Sequence, residues 1–65
     1  MYKLIYAENC NRCNIIKNIL NQKNIQFKEI YAYSSEGIEI CKNLNIKIAG
    51  TILDENNNII NINDL

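Results

Sequence analysis

The sequence predicts a single α/β domain with the element order β-α-β-α-β-β. In its first half, two apolar strand-like runs flank a segment with apolar residues at helical spacing, which is the pattern of a parallel βαβ unit. Near its end, two Ile-rich runs flank a cluster of Asp and Asn, which is typical of a β-hairpin. Because 65 residues can enclose only one core, we expect a four-stranded mixed sheet with helices on both faces.

The first half supplies the parallel unit. Residues 2–7 hold three large apolar side chains in succession, as expected for a strand covered on both faces. A helix is predicted from Cys10 to about Asn24, since apolar residues repeat there as one stripe; they are Ile15, Ile16, Ile19 and Leu20. Asn9 and Asn11 are the predicted capping or turn residues. Residues 25–33 alternate in part and predict the second strand.

The second half starts with a helix signal. Ser34 and Ser35 are followed by acidic residues, so a hydroxyl cap and negative charge in the first turn predict a helix that ends near Asn45. Its apolar side is formed by Ile38, Ile40, Cys41 and Leu44. Residues 46–50 lead into strands 51–53 and 59–62, which the polar residues 54–58 connect.

Composition excludes several classes of partner. The formal net charge is zero and the charges are scattered, so we expect no binding of nucleic acid or of an anionic membrane. No apolar run approaches the ~20 residues that span a bilayer, and no export leader opens the chain. Three cysteines are too few for a secreted disulfide scaffold, which favours a reducing compartment and a cytoplasmic location. The abundance of Asn and Ile is interpreted as codon bias.

Cys10 and Cys13 carry the strongest chemical signal. They form a Cys-x-x-Cys pair where the first strand gives way to the first helix, and the free backbone amides of a helix start favour a thiolate. Thiol–disulfide exchange is the favoured interpretation, ahead of ordinary structural cysteines or two ligands of a metal site. A zinc site needs four ligands, and only Cys41 is left in a chain without His.

The block from Tyr2 to Leu20, together with the later strand, helix and hairpin, resembles the glutaredoxins and small thioredoxin-like redoxins. The resemblance implies a thioredoxin-like fold, with Cys10 as the exposed nucleophile and Cys13 as the buried resolving thiol. It also implies an electron carrier that reduces protein disulfides and receives electrons from a reductase or glutathione. We expect no metal and no other cofactor.

The chain departs from that family at several places. It contains no proline, although the family has one, usually cis, facing the cysteines; Gly50 is the predicted equivalent. It also lacks the Gly-Gly pair and the closing helix of glutathione-using members, and it has Glu8 where a basic residue would help to bind glutathione. These departures argue against glutathione binding and leave dithiol chemistry intact. Glu8 would also oppose a thiolate at Cys10, whereas Arg12 would favour it.

Further site residues are predicted around the pair. The expected substrate contacts are Tyr6, Arg12, Ala49, Gly50 and Thr51. Each of three residues also has a plainer interpretation: Tyr6 packs in the core or at its rim, Arg12 is a solvated helix residue, and Gly50 is a flexible backbone joint. A second interpretation of Gly50 is that the missing side chain opens space beside the sulfurs. Cys41 is predicted to be a buried small apolar residue.

Two consequences of the resemblance remain open. Without a closing helix an Ile-rich surface stays uncovered, and we therefore expect a homodimer or a partner-bound domain. Without the facing proline, the alternative function is a binding module whose cysteines hold a metal, an iron–sulfur cluster or a protein partner without turnover.

Overall fold

The computed structural model describes residues 1–65 and has the predicted order of elements. The strands are β1 (Tyr2–Tyr6), β2 (Phe27–Tyr31), β3 (Thr51–Leu53) and β4 (Ile59–Ile60). The helices are α1 (Asn11–Gln22) and α2 (Ser35–Leu44), and one turn of 3-10 helix (Ile62–Asp64) follows β4. Neither helix is long and apolar enough to cross a membrane.

The four strands form one mixed sheet in the order β2-β1-β3-β4. β1 and β2 run parallel, and the register places Tyr6 opposite Tyr31 at their carboxyl ends. β1 pairs antiparallel with β3, and β3 pairs antiparallel with β4. The predicted parallel unit followed by a hairpin is therefore confirmed.

Each face of the sheet carries its own apolar cluster. Successive side chains of a strand point to opposite faces, so Leu4 belongs to one cluster and its neighbour Ile5 to the other. Ile16 and Leu20 of α1 pack on the Leu4 face, whereas residues of α2 pack on the Ile5 face. Helices on both faces are thus confirmed.

The predicted helix stripes are wider than the buried ones. Ile15 at the start of α1 is 59% exposed and Ile38 in α2 is 54% exposed. Both were predicted to face the core, and this prediction is wrong for both. The reason is geometric, because each short helix meets the sheet along a narrow line. Cys41 is half-buried against the Ile5 cluster rather than fully buried as predicted.

The ends of the strands also differ from the prediction. β2 begins at Phe27 because the chain first makes a turn at Asn24, whose φ is 57°. β4 stops at Ile60 because the side chain of Asn61 accepts a hydrogen bond from the Asn63 amide at 3.0 Å and caps the 3-10 turn.

Residues 62–64 after β4 form one turn of 3-10 helix. Ile62 in this turn and Leu65 directly after it pack against the cluster under α1. Part of the surface that we expected to stay open is therefore covered by the chain itself.

Candidate functional site

Cys10 begins α1 as its N-cap residue. Its backbone is extended, with φ −108° and ψ 98°, and its sulfur accepts a hydrogen bond from the amide of Cys13 at 3.1 Å. Asn9 and Asn11 were predicted as capping or turn residues, and neither caps the helix, because the Cys10 sulfur accepts the free Cys13 amide. Asn9 forms the turn before the helix with a φ of 54°, so the turn part of that prediction is confirmed for it.

Cys10 and Cys13 are joined by a disulfide bond. Their α-carbons lie 5.3 Å apart, within the range that disulfides require. The two ends differ in access, since Cys10 is half-buried and Cys13 is only 4% exposed. An incoming reagent therefore meets Cys10 first.

The carbonyl group of Ile5 connects the disulfide to the segment before β3. Its oxygen lies 4.0 Å from the Cys13 sulfur, and it accepts a hydrogen bond from the Gly50 amide at 2.7 Å. The Cys13 sulfur and the Gly50 amide therefore share the Ile5 carbonyl. Sequence reasoning missed Ile5 because the contact is made by its backbone.

Gly50 does not open free space beside the sulfurs. Its φ is +86°, a conformation that disfavours residues with a β-carbon, and a β-carbon placed there would lie 2.9 Å from Cγ and Cδ of Arg12. Arg12 Nε donates a hydrogen bond to the Gly50 carbonyl at 3.3 Å. The interpretation of Arg12 as a purely solvated helix residue is therefore incomplete. All peptide bonds are trans, including those of Gly50.

The neighbours of Gly50 face different surroundings. The hydroxyl of Thr51 donates a hydrogen bond to the carbonyl of Ile48 at 2.9 Å, so it holds the segment together locally. Together with Arg12 and Gly50, Thr51 lines a groove of about 340 Å³ on the α1 side of the sheet. Ala49 lines a different groove of about 240 Å³, in which Cys41 also lies.

Tyr6 lines neither of these grooves. It borders a crevice of about 270 Å³ that Cys13 and Asn14 also line. Its ring packs against that of Tyr31 with centroids 5.5 Å apart, and Tyr31 meets Tyr33 edge-on at 5.6 Å. The sequence signal for this contact is the aromatic residue that ends each of two adjacent parallel strands.

Glu8 is engaged by this aromatic group. The hydroxyl of Tyr31 donates a hydrogen bond to Oε1 of Glu8. That bond, with smaller effects of burial and of nearby negative charge, raises the pKa of Tyr31 above 10.0. The carboxylate that we expected only to oppose a thiolate therefore has a structural role as well.

Comparisons of the chain with protein-family models, curated proteins and solved structures found no match. No group of three or more His, Cys, Asp or Glu side chains is arranged to hold a metal ion. What the site can do follows from a disulfide that begins a helix, with Cys10 more accessible than Cys13, and that borders the crevice lined by Tyr6.

Proposed function

We propose that this protein is a small dithiol–disulfide oxidoreductase, with a thioredoxin-like fold of the glutaredoxin type, that reduces protein disulfides. The observation that carries the proposal is the Cys10–Cys13 disulfide at the start of α1, with one accessible and one buried sulfur. Support for the fold comes from the parallel pair β1 and β2, the antiparallel edge formed by β3 and β4, and the helices on opposite faces of the sheet.

The reaction is an exchange of two electrons between two pairs of sulfurs. In the reduced protein, the Cys10 thiolate attacks one sulfur of a substrate disulfide, forms a mixed disulfide and releases one substrate thiolate, which takes up a proton. The Cys13 thiol, losing its proton, then attacks the Cys10 sulfur. This step releases the second substrate thiol and leaves the Cys10–Cys13 disulfide. A reductase or glutathione returns the two electrons.

The surroundings of Cys10 favour this role. The Cys13 amide already points at the Cys10 sulfur, and the positive end of the helix dipole lies at the same place. Both effects stabilise a negatively charged sulfur more than a neutral one. The positive charge of Arg12, near the same end of the helix, also favours a thiolate, although Nε of Arg12 donates a hydrogen bond to the Gly50 carbonyl.

The metal-binding alternative finds less support in the geometry. One chain offers the two sulfurs of Cys10 and Cys13 at the end of α1, whereas Cys41 packs with α2 against the Ile5 cluster on the opposite face. A site with four ligands would therefore need a second chain.

The direct test is reduction of insulin by the purified protein in the presence of dithiothreitol. We expect activity in the wild type and in the matched control Cys41→Ser, and none in Cys10→Ser. An inactive wild type, or a Cys10→Ser variant as active as the wild type, would contradict the proposal. A titration against glutathione buffers adds the potential of the couple, which we expect near the ~−270 to −200 mV range of thioredoxins and glutaredoxins.

A further inference from the structure

Three tyrosines and one carboxylate form a continuous surface beside the disulfide. We call Tyr6, Tyr31, Tyr33 and Glu8 the tyrosine cluster. The rings of Tyr6 and Tyr31 lie 5.5 Å apart, those of Tyr31 and Tyr33 lie 5.6 Å apart, and Glu8 accepts the Tyr31 hydroxyl. The register of β1 and β2 brings the first two rings together, because it pairs Tyr6 with Tyr31.

The cluster is open to solvent and its charge is not neutralised. Tyr33 is 70% exposed and Glu8 is exposed, while Tyr6 and Tyr31 are half-buried. Glu8 forms no ion pair. Lys17, the cation that borders the crevice beside Tyr6, is already paired with Glu29 at 2.9 Å.

The cluster approaches the disulfide through Tyr6 and through Glu8. Tyr6 shares its crevice with Cys13, and Glu8 lies two residues before Cys10 in the turn that leads to α1. A polypeptide whose disulfide reaches Cys10 therefore has its flanking residues within reach of the cluster.

We propose that the tyrosine cluster binds a Lys or Arg side chain that flanks the disulfide of the protein substrate. Tyrosine faces carry negative potential and attract cations, and the Glu8 carboxylate, which forms no ion pair, adds a full negative charge at the rim. The aliphatic stem of Lys or Arg also packs on aromatic rings. This inference rests on the proposed function, and it names the class of substrate: disulfides within basic segments.

The test compares two disulfide-bonded peptides that are identical except for Arg or Gln next to one cysteine. The measured quantity is the ratio of kcat/KM for the Arg peptide over the Gln peptide. We expect a ratio of about five at low salt in the wild type, since one cation–π contact has that effect. The ratio should fall as salt is added, because exposed charges are screened.

The variants locate the preference. In Glu8→Gln and in Tyr33→Leu the ratio should fall towards one, whereas it should persist in Glu39→Gln, which removes an exposed carboxylate on α2. A wild-type ratio near one, which would mean that any disulfide segment is accepted, overturns the inference. So does a ratio that is unchanged in both cluster variants.

A binding measurement separates this inference from the proposed function. The same two peptides with Ser in place of each Cys cannot exchange, and their binding is followed by the shifts of the Tyr33 ring signals in NMR spectra. In one outcome no disulfide is turned over, but the Arg peptide binds more tightly than the Gln peptide and loses this advantage in Glu8→Gln. The proposed function is then wrong, and binding of a basic side chain by the cluster is supported. If both peptides are turned over and bound equally well, only the binding of a basic side chain by the cluster is contradicted.

Discussion

Arg12 covers Gly50. The Arg12 stem occupies the place where a side chain at Gly50 would lie, and Nε of Arg12 donates a hydrogen bond to the Gly50 carbonyl at 3.3 Å. The first turn of α1 is thereby tied to the segment that enters β3, and the Gly50 amide is tied to the carbonyl of Ile5 in β1. The disulfide thus lies in a frame built from three separate parts of the chain.

We predict that Gly50→Ala lowers the free energy of unfolding by about 1–3 kcal/mol, because a β-carbon is strained at a φ of +86° and meets Arg12. Urea denaturation measures the change. In an Arg12→Ala background the contact disappears and only the backbone strain remains, so the loss should be smaller. Equal losses in both backgrounds would mean that Arg12 yields freely to the new methyl group.

A second prediction concerns Gly37 in α2, which is buried against the end of β2. A β-carbon there would overlap the carbonyl of Tyr31 and lie 2.9 Å from that of Ala32. Although Ala is better than Gly in a helix by ~1 kcal/mol, backbone atoms cannot move aside cheaply, so we expect Gly37→Ala to be destabilising by at least about 2 kcal/mol. The exposed control Glu39→Ala on the same helix should change stability by less than about 0.5 kcal/mol. A neutral Gly37→Ala would contradict the close packing of α2.

The hairpin loop gives a pH dependence. The pKa of Asp54 is held below 3.8, chiefly because the Asn58 amide donates to its carboxylate, with help from the Asn58 side chain and the Asn56 amide. A pKa lowered on folding adds stability that is present above the unfolded-state value and is lost as the pH falls through the folded-state value. Wild type should therefore exceed Asp54→Asn in stability near neutral pH, and the gap should narrow at a pH well below 3.8. Urea midpoints at both pH values measure it, and a gap that is independent of pH would count against the loop geometry.

The phenol of Tyr31 should titrate above 10.0, because it donates to Glu8 and would lose that bond on ionising. Comparing the tyrosinate absorbance of the wild type with that of Tyr31→Phe isolates this group. In Glu8→Gln its titration should move to lower pH. The raised pKa also means that the associated stability is present below the unfolded-state value and is lost as the pH rises through the folded-state one. If Glu8→Gln leaves the titration in place, the hydrogen bond is not its cause.

The two sulfurs should behave differently when one is removed. In a Cys41→Ser background, Cys13→Ser should accumulate a mixed disulfide with a substrate, because Cys10 can attack but nothing resolves the product. Cys10→Ser in the same background should accumulate none, because Cys13 is only 4% exposed. Non-reducing electrophoresis of the two variants after incubation with an oxidised peptide distinguishes them, and equal trapping by both would remove the assigned order of attack.

The element order could be predicted from the sequence because the apolar residues repeat at the spacing of strands and helices in successive segments. The start of α1 was also predictable, since the strand-like run ends at residue 7 and the apolar stripe of a helix follows Cys10. The burial of individual side chains was harder to predict. Ile15 and Ile38 have the spacing of core residues but lie outside the narrow line along which each helix contacts the sheet. Spacing records periodicity within one element and not the width of its contact with another.

The surroundings of the disulfide were only partly predictable. Arg12 and Gly50 were both expected near it, but their contact depends on how α1 lies relative to the segment before β3, which no local pattern encodes. The tyrosine cluster was missed because Tyr6 and Tyr31 are far apart in the chain and meet only through the strand register. Contacts between residues that are distant in the chain, which only the tertiary structure brings together, could thus not be predicted from the sequence.

The four residues other than Gly with positive φ are all asparagines: Asn9, Asn24, Asn45 and Asn57. They end or begin elements at places where many proteins use glycine. Asparagine tolerates the left-handed conformation and leaves the unfolded chain with fewer accessible states than glycine does, so each such turn is fixed at a smaller loss of entropy. The abundance of Asn, first interpreted as codon bias, therefore has a structural consequence. A chain with only two glycines uses asparagine for its tight turns.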